Sequence, residues 1–327
     1  MKELRRHVAI AVDGGGIRGT MIARALAVLE SRGAFGDKKC KDVFHLSAGT
    51  STGSIISAGL AAGLAGEKMY QLYMELGPEV FRKSLRTVLW FVSRYRYSSG
   101  NLRTFLYKNL GSTTMGAIRP MDLVITAFDL IDNRTRFIKT GKSEYADWDL
   151  VKAVTASCAV PTYFLPVEGQ YVDGGVGSYA NPCYLAAYEG CIVKKWDPAE
   201  TTLISLGTGR DPHNVKKGAP NYYRPWNWPG PILGAFLQSA DEEQVRVVKT
   251  FFEKLDFRRF QVDFAKAIPM DDASKSTMDE LTKYGDALAD KIMNDETDDQ
   301  VTAAAYALPA TWTNRRPNTT STGPRAL

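Results

Sequence analysis

The stretch VAIAVDGGGIRGT, residues 8–20, decides how the amino-terminal part of the chain folds. Its apolar run from Val8 to Val12 predicts a buried strand, and the apolar residues that follow Thr20 at helical spacing predict a helix. Three glycines between these elements fit the pattern G-x-G-x-x-G: Gly14, Gly16 and Gly19. Because any tight turn from a strand to a helix recruits glycine, the pattern alone is weak evidence for a particular ligand.

A dinucleotide site is one interpretation of this turn. Such a site also needs an acidic residue at the end of the second strand, about twenty residues further on. Asp37 and Asp42 are the acidic candidates, but both precede the predicted second strand from Val43 to Ala48. The backbone N–H groups of Gly14 to Gly16, near the start of a helix, suit a phosphate and an oxyanion equally well. The choice between these anions therefore depends on the rest of the chain.

The second strand leads into AGTSTGS, residues 48–54, which fits the pattern G-x-S-x-G at Gly49, Ser51 and Gly53. In a nucleophile elbow, the strand and the following helix come too close for a Cβ atom at the two glycine positions. A strand before the motif and a helix after it are both predicted here. We therefore predict that Ser51 is a nucleophile, with a purely structural Gly/Ser turn as the alternative.

A serine hydroxyl needs a base that removes its proton. The chain has three histidines: His7, His45 and His213. We expect the first two to pack within strands, whereas His213 lies in a polar loop and could complete the order Ser, Asp, His with Asp173. Asp173 is also a candidate by itself, because the glycines after it let it approach the serine, and a raised pKa would make it a base.

Three motifs occur in a fixed order: DGGGIRG at 13–19, GTSTG at 49–53 and DGG at 173–175. In these motifs the chain resembles the patatin-like acyl hydrolases, and the resemblance extends over roughly residues 7–293. It implies a three-layer α/β/α fold, a modified α/β-hydrolase-like arrangement with a mostly parallel central sheet and helices on both faces. The alternation of apolar strands with helical patterns along the chain favours the same fold class.

The resemblance also implies a Ser–Asp dyad without a catalytic histidine, in which Ser51 is the nucleophile and Asp173 is the base. The N–H groups of an oxyanion hole would come from Gly14, Gly15 and Gly16, with Arg18 beside them and Thr52 as a further donor. The remaining motif glycines would permit the tight turns: Gly19, Gly49, Gly53, Gly174 and Gly175. The implied substrates are ester bonds of membrane glycerophospholipids, cleaved without a metal or another cofactor.

The composition predicts one large domain, since 327 residues with 44% hydrophobic and 24% charged residues show no internal repeat. We expect a single catalytic domain over 1–308 and a disordered tail over 309–327, which is rich in Thr, Asn, Pro and Arg. The first apolar run is too short for a signal peptide, and no run of about eighteen apolar residues occurs. We therefore expect a cytoplasmic protein that is peripheral at the inner membrane when active.

The net charge of +5 favours an anionic surface without indicating a nucleic acid polymer as partner. Segments 81–108 and 221–236 combine aromatic with basic residues or prolines, and we expect them to contact a phospholipid membrane; a packed core or a lid is the alternative. Segment 81–108 would equally serve a cyclic nucleotide, because some bacterial patatin-like enzymes of this size are activated by cyclic nucleotides in antiphage defence.

The sequence is also compatible with other functions. The nearest alternative is a constitutive lipid acyl hydrolase or a thioesterase without nucleotide control, because the catalytic parts would be shared. A dinucleotide-binding protein leaves the motifs at 49–53 and 173–175 without explanation. A storage or scaffold protein without turnover would not need both Ser51 and Asp173.

Overall fold

A computed structural model describes residues 1–82, 87, 94–212 and 215–302. Within these residues, the strands form one sheet in the order β4-β3-β2-β1-β6-β7, and β5 pairs with β3. The strands are β1 (His7–Val12), β2 (Leu46–Thr50), β3 (Asp122–Asp129), β4 (Arg134–Lys139), β5 (Tyr171–Asp173), β6 (Thr201–Leu206) and β7 (Asp256–Phe260).

The central strands are parallel, as predicted. Strands β3, β2, β1, β6 and β7 run in the same direction, whereas β4 and β5 pair antiparallel with β3. The predicted bounds of the second strand were wrong, because Cys40–Val43 form a short helix and β2 starts at Leu46. Just before β5, an isolated bridge pairs Val167 with Tyr171.

The helices are α1 (Gly19–Ser31), α2 (Cys40–Val43), α3 (Thr52–Ala61), α4 (Gly66–Val80), α5 (Ser99–Leu110), α6 (Leu150–Ser157), α7 (Cys183–Ala187), α8 (Pro229–Phe251) and α9 (Lys275–Met293). Side chains of β1 alternate between two cores: Val8, Ile10 and Val12 pack with α1, α3 and α4, whereas Ala9 and Ala11 pack with α7 and α8. This alternation follows from the two-residue period of a strand. The predicted α/β/α layering is confirmed.

The strand register brings three chain segments together at the carboxyl ends of the parallel strands. Val12 pairs with Gly49 on one side and with Leu206 on the other, so the residues after β1, β2 and β6 emerge together. On β3, Thr126 pairs with Thr50, and the next residue pairs with Asp173 of β5. Beyond the end of β2, strand β5 therefore pairs with the same side of β3. This places Asp173 beside the turn that holds Ser51.

Several features named in the sequence analysis lie outside the described residues: the tail over 309–327, His213, and residues 83–86 and 88–93 of segment 81–108. The division into a domain over 1–308 and a tail stays a prediction. Among the helices that the structure describes, none is both long enough and apolar enough to cross a membrane.

Candidate active site

Ser51 lies in a sharp turn between β2 and α3, with φ 53° and ψ −124°. A residue other than glycine with such angles stores strain of about 1–3 kcal/mol, which the surrounding structure has to offset. A Cβ atom at Gly49 would lie 2.3 Å from the carbonyl oxygen of Gly53, and one at Gly53 would lie 2.1 Å from that of Val12. The turn therefore has the close strand-to-helix approach that G-x-S-x-G predicts.

Side chains from other helices hold this turn. The N–H group of Ser51 donates to Ser157 Oγ at the end of α6, at 2.8 Å. The Tyr73 hydroxyl of α4 donates to the carbonyl oxygen of Thr52 at 2.7 Å and lies 2.6 Å from its Oγ1. A Cβ atom at Gly19 would lie 2.3 Å from the same Oγ1. Sequence reasoning missed Ser157 and Tyr73, because nothing near the motif indicates a contact with α4 or α6.

Asp173 ends β5 and begins the turn Gly174–Gly177. Its Oδ1 accepts a hydrogen bond from the N–H group of Gly175 at 2.8 Å. Its Oδ2 is buried and has no partner of standard geometry among the described residues. Burial raises the pKa of Asp173 from 3.8 to about 6, and the Ser51 hydroxyl and the Gly175 N–H group partly oppose this shift. The Ser51 hydroxyl therefore lies next to the carboxyl group, but in a geometry outside that of a normal hydrogen bond.

Gly174 allows the turn after Asp173 to pack against the sheet. A Cβ atom at this position would lie 2.0 Å from Thr126 Oγ1. Thr126 Oγ1 in turn lies 2.6 Å from Thr50 Oγ1, the residue before Ser51. The two turns are therefore connected through paired threonines of β2 and β3.

The glycine loop, residues 13–16, contacts the elbow directly. A Cβ atom at Gly14 would lie 3.3 Å from that of Ser51. Gly16 has φ +59°, and a Cβ atom there would lie 2.2 Å from the carbonyl oxygen of Met270. Within the described part of the chain, the N–H groups of Gly15 and Gly16 donate to no protein acceptor. These two groups, and the N–H group of Thr52 at the first turn of α3, are the candidate donors of an oxyanion hole.

Two residues expected at the oxyanion hole have hydrogen-bond partners within the protein. The N–H group of Gly14 donates to the carbonyl oxygen of Ala180 at 2.8 Å. The Arg18 guanidinium is buried; it donates to the carbonyl oxygen of Ile268 at 2.8 Å and pairs with Asp211 at 2.5 Å. The Gly14 N–H group and the Nε and Nη2 groups of Arg18 therefore already have protein acceptors, and the oxyanion-hole roles expected for these two residues stay predictions.

Ser51 and Asp173 line a cavity of about 530 Å³, within the usual range for small-molecule pockets of about 300–1,000 Å³. Its other walls are mostly apolar and come from α3, α4, α5, α8, the loop after α6 and the segment between β7 and α9: Ile55, Leu76, Val80, Phe81, Leu102, Val160, Pro161, Tyr163, Phe164, Phe236, Leu237 and Met270. Such a cavity can take a hydrocarbon chain with its polar end beside Ser51.

The two segments expected at a membrane differ in exposure. In the described part of segment 81–108, Tyr97 and Phe105 are buried in the core, and Phe81 and Leu102 line the cavity. These side chains do not form a membrane surface, since they pack inward. In segment 221–236, apolar side chains are exposed: Tyr222, Trp228, Ile232 and Phe236. Phe236 is both exposed and part of the cavity wall.

The described histidines lie at the amino-terminal ends of β1 and β2, whereas Ser51 follows the carboxyl end of β2. His7 stacks on Trp196 with ring centroids 4.8 Å apart, and His45 Nδ1 accepts the N–H group of Val8 at 3.0 Å. His7 is therefore packed at the start of β1, as predicted, whereas His45 is exposed and precedes β2, so its ring is held by a hydrogen bond and not packed within a strand. Among the described residues, no group of three or more His, Cys, Asp or Glu side chains could hold a metal ion.

Comparisons with known proteins give one consistent result. A profile described as patatin-like phospholipase matches residues 10–187. Patatin-17 from Solanum cardiophyllum is 25% identical over 332 residues, which cover 88% of this chain and 84% of that protein. A cGAMP-activated phospholipase from Pseudomonas aeruginosa is 27% identical over 287 residues, covering 84% of this chain and 83% of that one.

An intracellular phospholipase A2 from Caenorhabditis elegans is 32% identical over 224 residues, which cover 63% of this chain. This chain spans only 20% of the length of that relative. Among solved structures, VipD from Legionella pneumophila aligns with 12% identity and a TM-score of 0.46, over 89% of this chain and 67% of that one.

Proposed function

Because the chain belongs to the patatin-like phospholipase family, we propose that it hydrolyses ester bonds of membrane glycerophospholipids through an acyl-enzyme on Ser51. One observation carries this proposal: the strained Ser51 turn lies beside a buried carboxyl group in the wall of an apolar cavity. We also propose that these parts form a single catalytic domain over 1–308, followed by a tail over 309–327.

In the first step, Asp173 takes the proton of the Ser51 hydroxyl while Oγ attacks the ester carbonyl carbon. The oxyanion that forms accepts hydrogen bonds from the N–H groups of Gly15 and Gly16, which are most effective in a site that excludes water. Asp173 then gives the proton to the leaving alcohol oxygen, and the carbon–oxygen bond breaks. The products of this half-reaction are a lysophospholipid and an acyl group bound to Ser51.

In the second step, Asp173 takes a proton from water, and the hydroxide attacks the acyl-enzyme carbonyl. Breakdown of the second oxyanion returns the proton to Ser51 Oγ and releases a fatty acid. A pKa of about 6 suits Asp173 to both directions of transfer near neutral pH, since a general acid–base works best with a pKa close to the working pH. A second group such as a histidine is not required for this cycle.

We propose that segment 221–236 brings the cavity to the surface of a membrane, at the cytoplasmic face of the inner membrane. Tyr222 is 87% exposed and Ile232 58% exposed, and the exposed Phe236 also lines the cavity. Exposed aromatic and aliphatic side chains beside a substrate cavity are suited to the interfacial region of a bilayer. An acyl chain could then leave the bilayer along an apolar path.

Control by a cyclic nucleotide is a further part of the proposal. It is supported by the relation to the cGAMP-activated phospholipase, which extends over 84% of this chain. Constitutive hydrolysis of lipids or of acyl thioesters is the alternative within the same chemistry. A dinucleotide site is disfavoured, because the Gly14 N–H group is already engaged and fewer donors remain for a pyrophosphate.

The test uses vesicles of phosphatidylethanolamine and phosphatidylglycerol, incubated with the wild type or with Ser51→Ala, each with and without cGAMP. We expect mass spectrometry to find lysophospholipid and free fatty acid with the wild type alone. Product that requires cGAMP supports the nucleotide control, and equal product without it contradicts that part. Release of CoA from palmitoyl-CoA without any lipid product would favour a thioesterase over our proposal.

Ser157→Ala is expected to lower kcat about tenfold, because the Ser51 N–H group would lose its buried acceptor at a cost of about 1–1.5 kcal/mol. The measurement is steady-state hydrolysis of p-nitrophenyl butyrate. Ser57→Ala is the matched control, since Ser57 Oγ is buried without a hydrogen-bond partner in the described structure. Equal rates for the two variants would contradict a role of Ser157 in holding the elbow.

A further inference from the structure

A buried arginine on β7, Arg259, joins two parts of the site that are distant in sequence. Only 2% of its side chain is exposed. Its Nη1 donates to Asp13 Oδ1 and to Ser205 Oγ, both at 2.9 Å. Its Nη2 donates to Asp13 Oδ2 at 2.5 Å and to Asp241 Oδ1 at 3.0 Å. Burial alone would lower the pKa of Arg259, but the two carboxylates raise it above its ordinary value, so the guanidinium stays charged.

Asp13 connects Arg259 to the glycine loop. Its N–H group donates to the carbonyl oxygen of Leu206 at 3.1 Å. Its own carbonyl oxygen would lie 2.7 Å from a Cβ atom at Gly53. The ion pair with Arg259 therefore fixes the backbone at the point where the glycine loop meets the elbow.

Asp241 connects the same arginine to α8. Leu237, which lines the cavity, precedes Asp241 by four residues, so the two side chains share one face of the helix. Asp241 Oδ1 also accepts a hydrogen bond from Asn181 Nδ2 at 2.7 Å. The carbonyl oxygen of the preceding Ala180 accepts the N–H group of Gly14. Both partners of Asp241 are therefore tied to the glycine loop.

Packing secures the two halves of α8 differently. Val245 and Val248 in the second half belong to a hydrophobic core of the protein. At the level of Asp241, the space between α8 and β7 is a polar cavity of about 300 Å³ instead of a packed core. Among the side chains of the first half that the structure describes, Ile232 and Phe236 are exposed. Hydrogen bonds of Asp241 are therefore a main fixed point for the part of α8 that forms the cavity wall.

We propose that Asp241 is a positioning residue for acyl-chain recognition: through Arg259 and Asn181 it holds the Leu237 face of α8 as a wall of the acyl cavity. This inference rests on the proposed function and adds a determinant of chain-length preference to it. Asp241 touches neither the substrate nor the reacting atoms. A long acyl chain depends on the wall along much of its length, because each buried CH₂ group contributes about 0.8 kcal/mol. A four-carbon chain depends on it much less.

The test compares p-nitrophenyl butyrate with p-nitrophenyl palmitate in mixed micelles, with Asp241→Asn as the variant. Asparagine keeps the size of the side chain and removes the charge that pairs with Arg259. We expect KM for the palmitate to rise about tenfold, as for the loss of a charged hydrogen bond, and kcat for the butyrate to stay within about twofold. Glu243→Gln is the matched control on the same helix, because Glu243 is 61% exposed and pairs only with its neighbour Arg246 among the described residues.

A double-mutant cycle with Leu237→Ala separates positioning from a general loss of stability. If Asp241 acts through the wall, Leu237→Ala also raises KM for the palmitate, and the double variant is no worse than the stronger single variant. Equal losses of kcat on both esters, additive effects in the cycle, or an unchanged KM for the palmitate would each overturn the inference. The butyrate rate of the wild type, measured with and without cGAMP, tests the proposed function separately. Its absence under both conditions would contradict hydrolysis itself, and its presence leaves Asp241 to be judged alone.

Discussion

Ser51→Ala is expected to lower the rate of ester hydrolysis by about 10⁴-fold or more, because the acyl-enzyme can no longer form and only binding and the oxyanion donors remain. The strained turn that presents the hydroxyl does not change, since alanine differs from serine by one oxygen atom. The decisive measurement is the initial rate with p-nitrophenyl butyrate, together with the appearance of lysophospholipid from vesicles. A fluorophosphonate probe should label the wild type at Ser51 and leave this variant unlabelled.

Ser47→Ala is the matched control for this substitution. Ser47 lies on β2, and its Oγ is buried without a hydrogen-bond partner in the part of the chain that the structure describes. The Ser47→Ala variant should hydrolyse p-nitrophenyl butyrate at nearly the wild-type rate. Activity of Ser51→Ala above about one tenth of the wild-type rate would show that another group is the nucleophile, since loss of a true nucleophile costs several orders of magnitude.

The motif glycines illustrate what the sequence can predict. Gly49 and Gly53 are required by contacts with residues close to them in the chain or on the neighbouring strand, so the local pattern already contains their reason. The alternation of apolar strands with helical patterns along the chain likewise predicts layers on both faces of the sheet, and β1 has a core on each side. Local geometry and periodicity were sufficient for the fold class and for the position of Ser51.

Hydrogen-bond partners distant in sequence could not be predicted in this way. The glycine loop suggests three donors, but the N–H group of Gly14 is engaged by Ala180, and the Arg18 side chain is engaged by Ile268 and Asp211. No spacing or periodicity near residues 14–18 indicates these acceptors. Ser157 was missed for the same reason, because its contact with Ser51 depends on how α6 packs against the sheet.

Segment 81–108 shows a second limit of sequence patterns. Basic residues interleaved with aromatic ones are compatible both with a membrane surface and with a helix whose apolar side is packed. The described part of this segment follows the second alternative, because Phe105 of α5 belongs to the core and Leu102 to the cavity wall. A choice between these alternatives requires knowing which face of α5 meets α4, and this is a tertiary property.

Asp173→Asn is expected to lower kcat about 10³-fold, because an amide cannot take the proton of Ser51, and general acid–base catalysis contributes about 10²–10⁴-fold. Asparagine has nearly the same shape, and its oxygen can still accept the N–H group of Gly175. The wild type should gain activity as the pH rises through about 6 and remain constant above it, because only the ionised carboxylate is a base. Rates of butyrate hydrolysis between pH 4.5 and 8.5 give both results.

The same substitution should increase stability at high pH. The pKa of Asp173 is raised from 3.8 in the unfolded chain to about 6 in the folded protein, so the folded state binds the proton more tightly. The free energy of unfolding therefore falls as the pH rises from about 4 to 6, by about 3 kcal/mol for a shift of this size, and then stays low. Asparagine is neutral throughout and avoids this loss. Thermal unfolding of Asp173→Asn should thus occur at a higher temperature than that of the wild type at pH 8, and at a similar temperature near pH 4.

These two effects of Asp173→Asn have one physical cause. A carboxylate that is buried with one free oxygen is costly for the folded protein, and the same lack of partners leaves that oxygen able to accept a proton from Ser51. Lower stability of Asp173→Asn than of the wild type at pH 8 would mean that the folded protein stabilises the carboxylate. Its pKa would then lie below its ordinary value, and the proton of Ser51 would need a different acceptor.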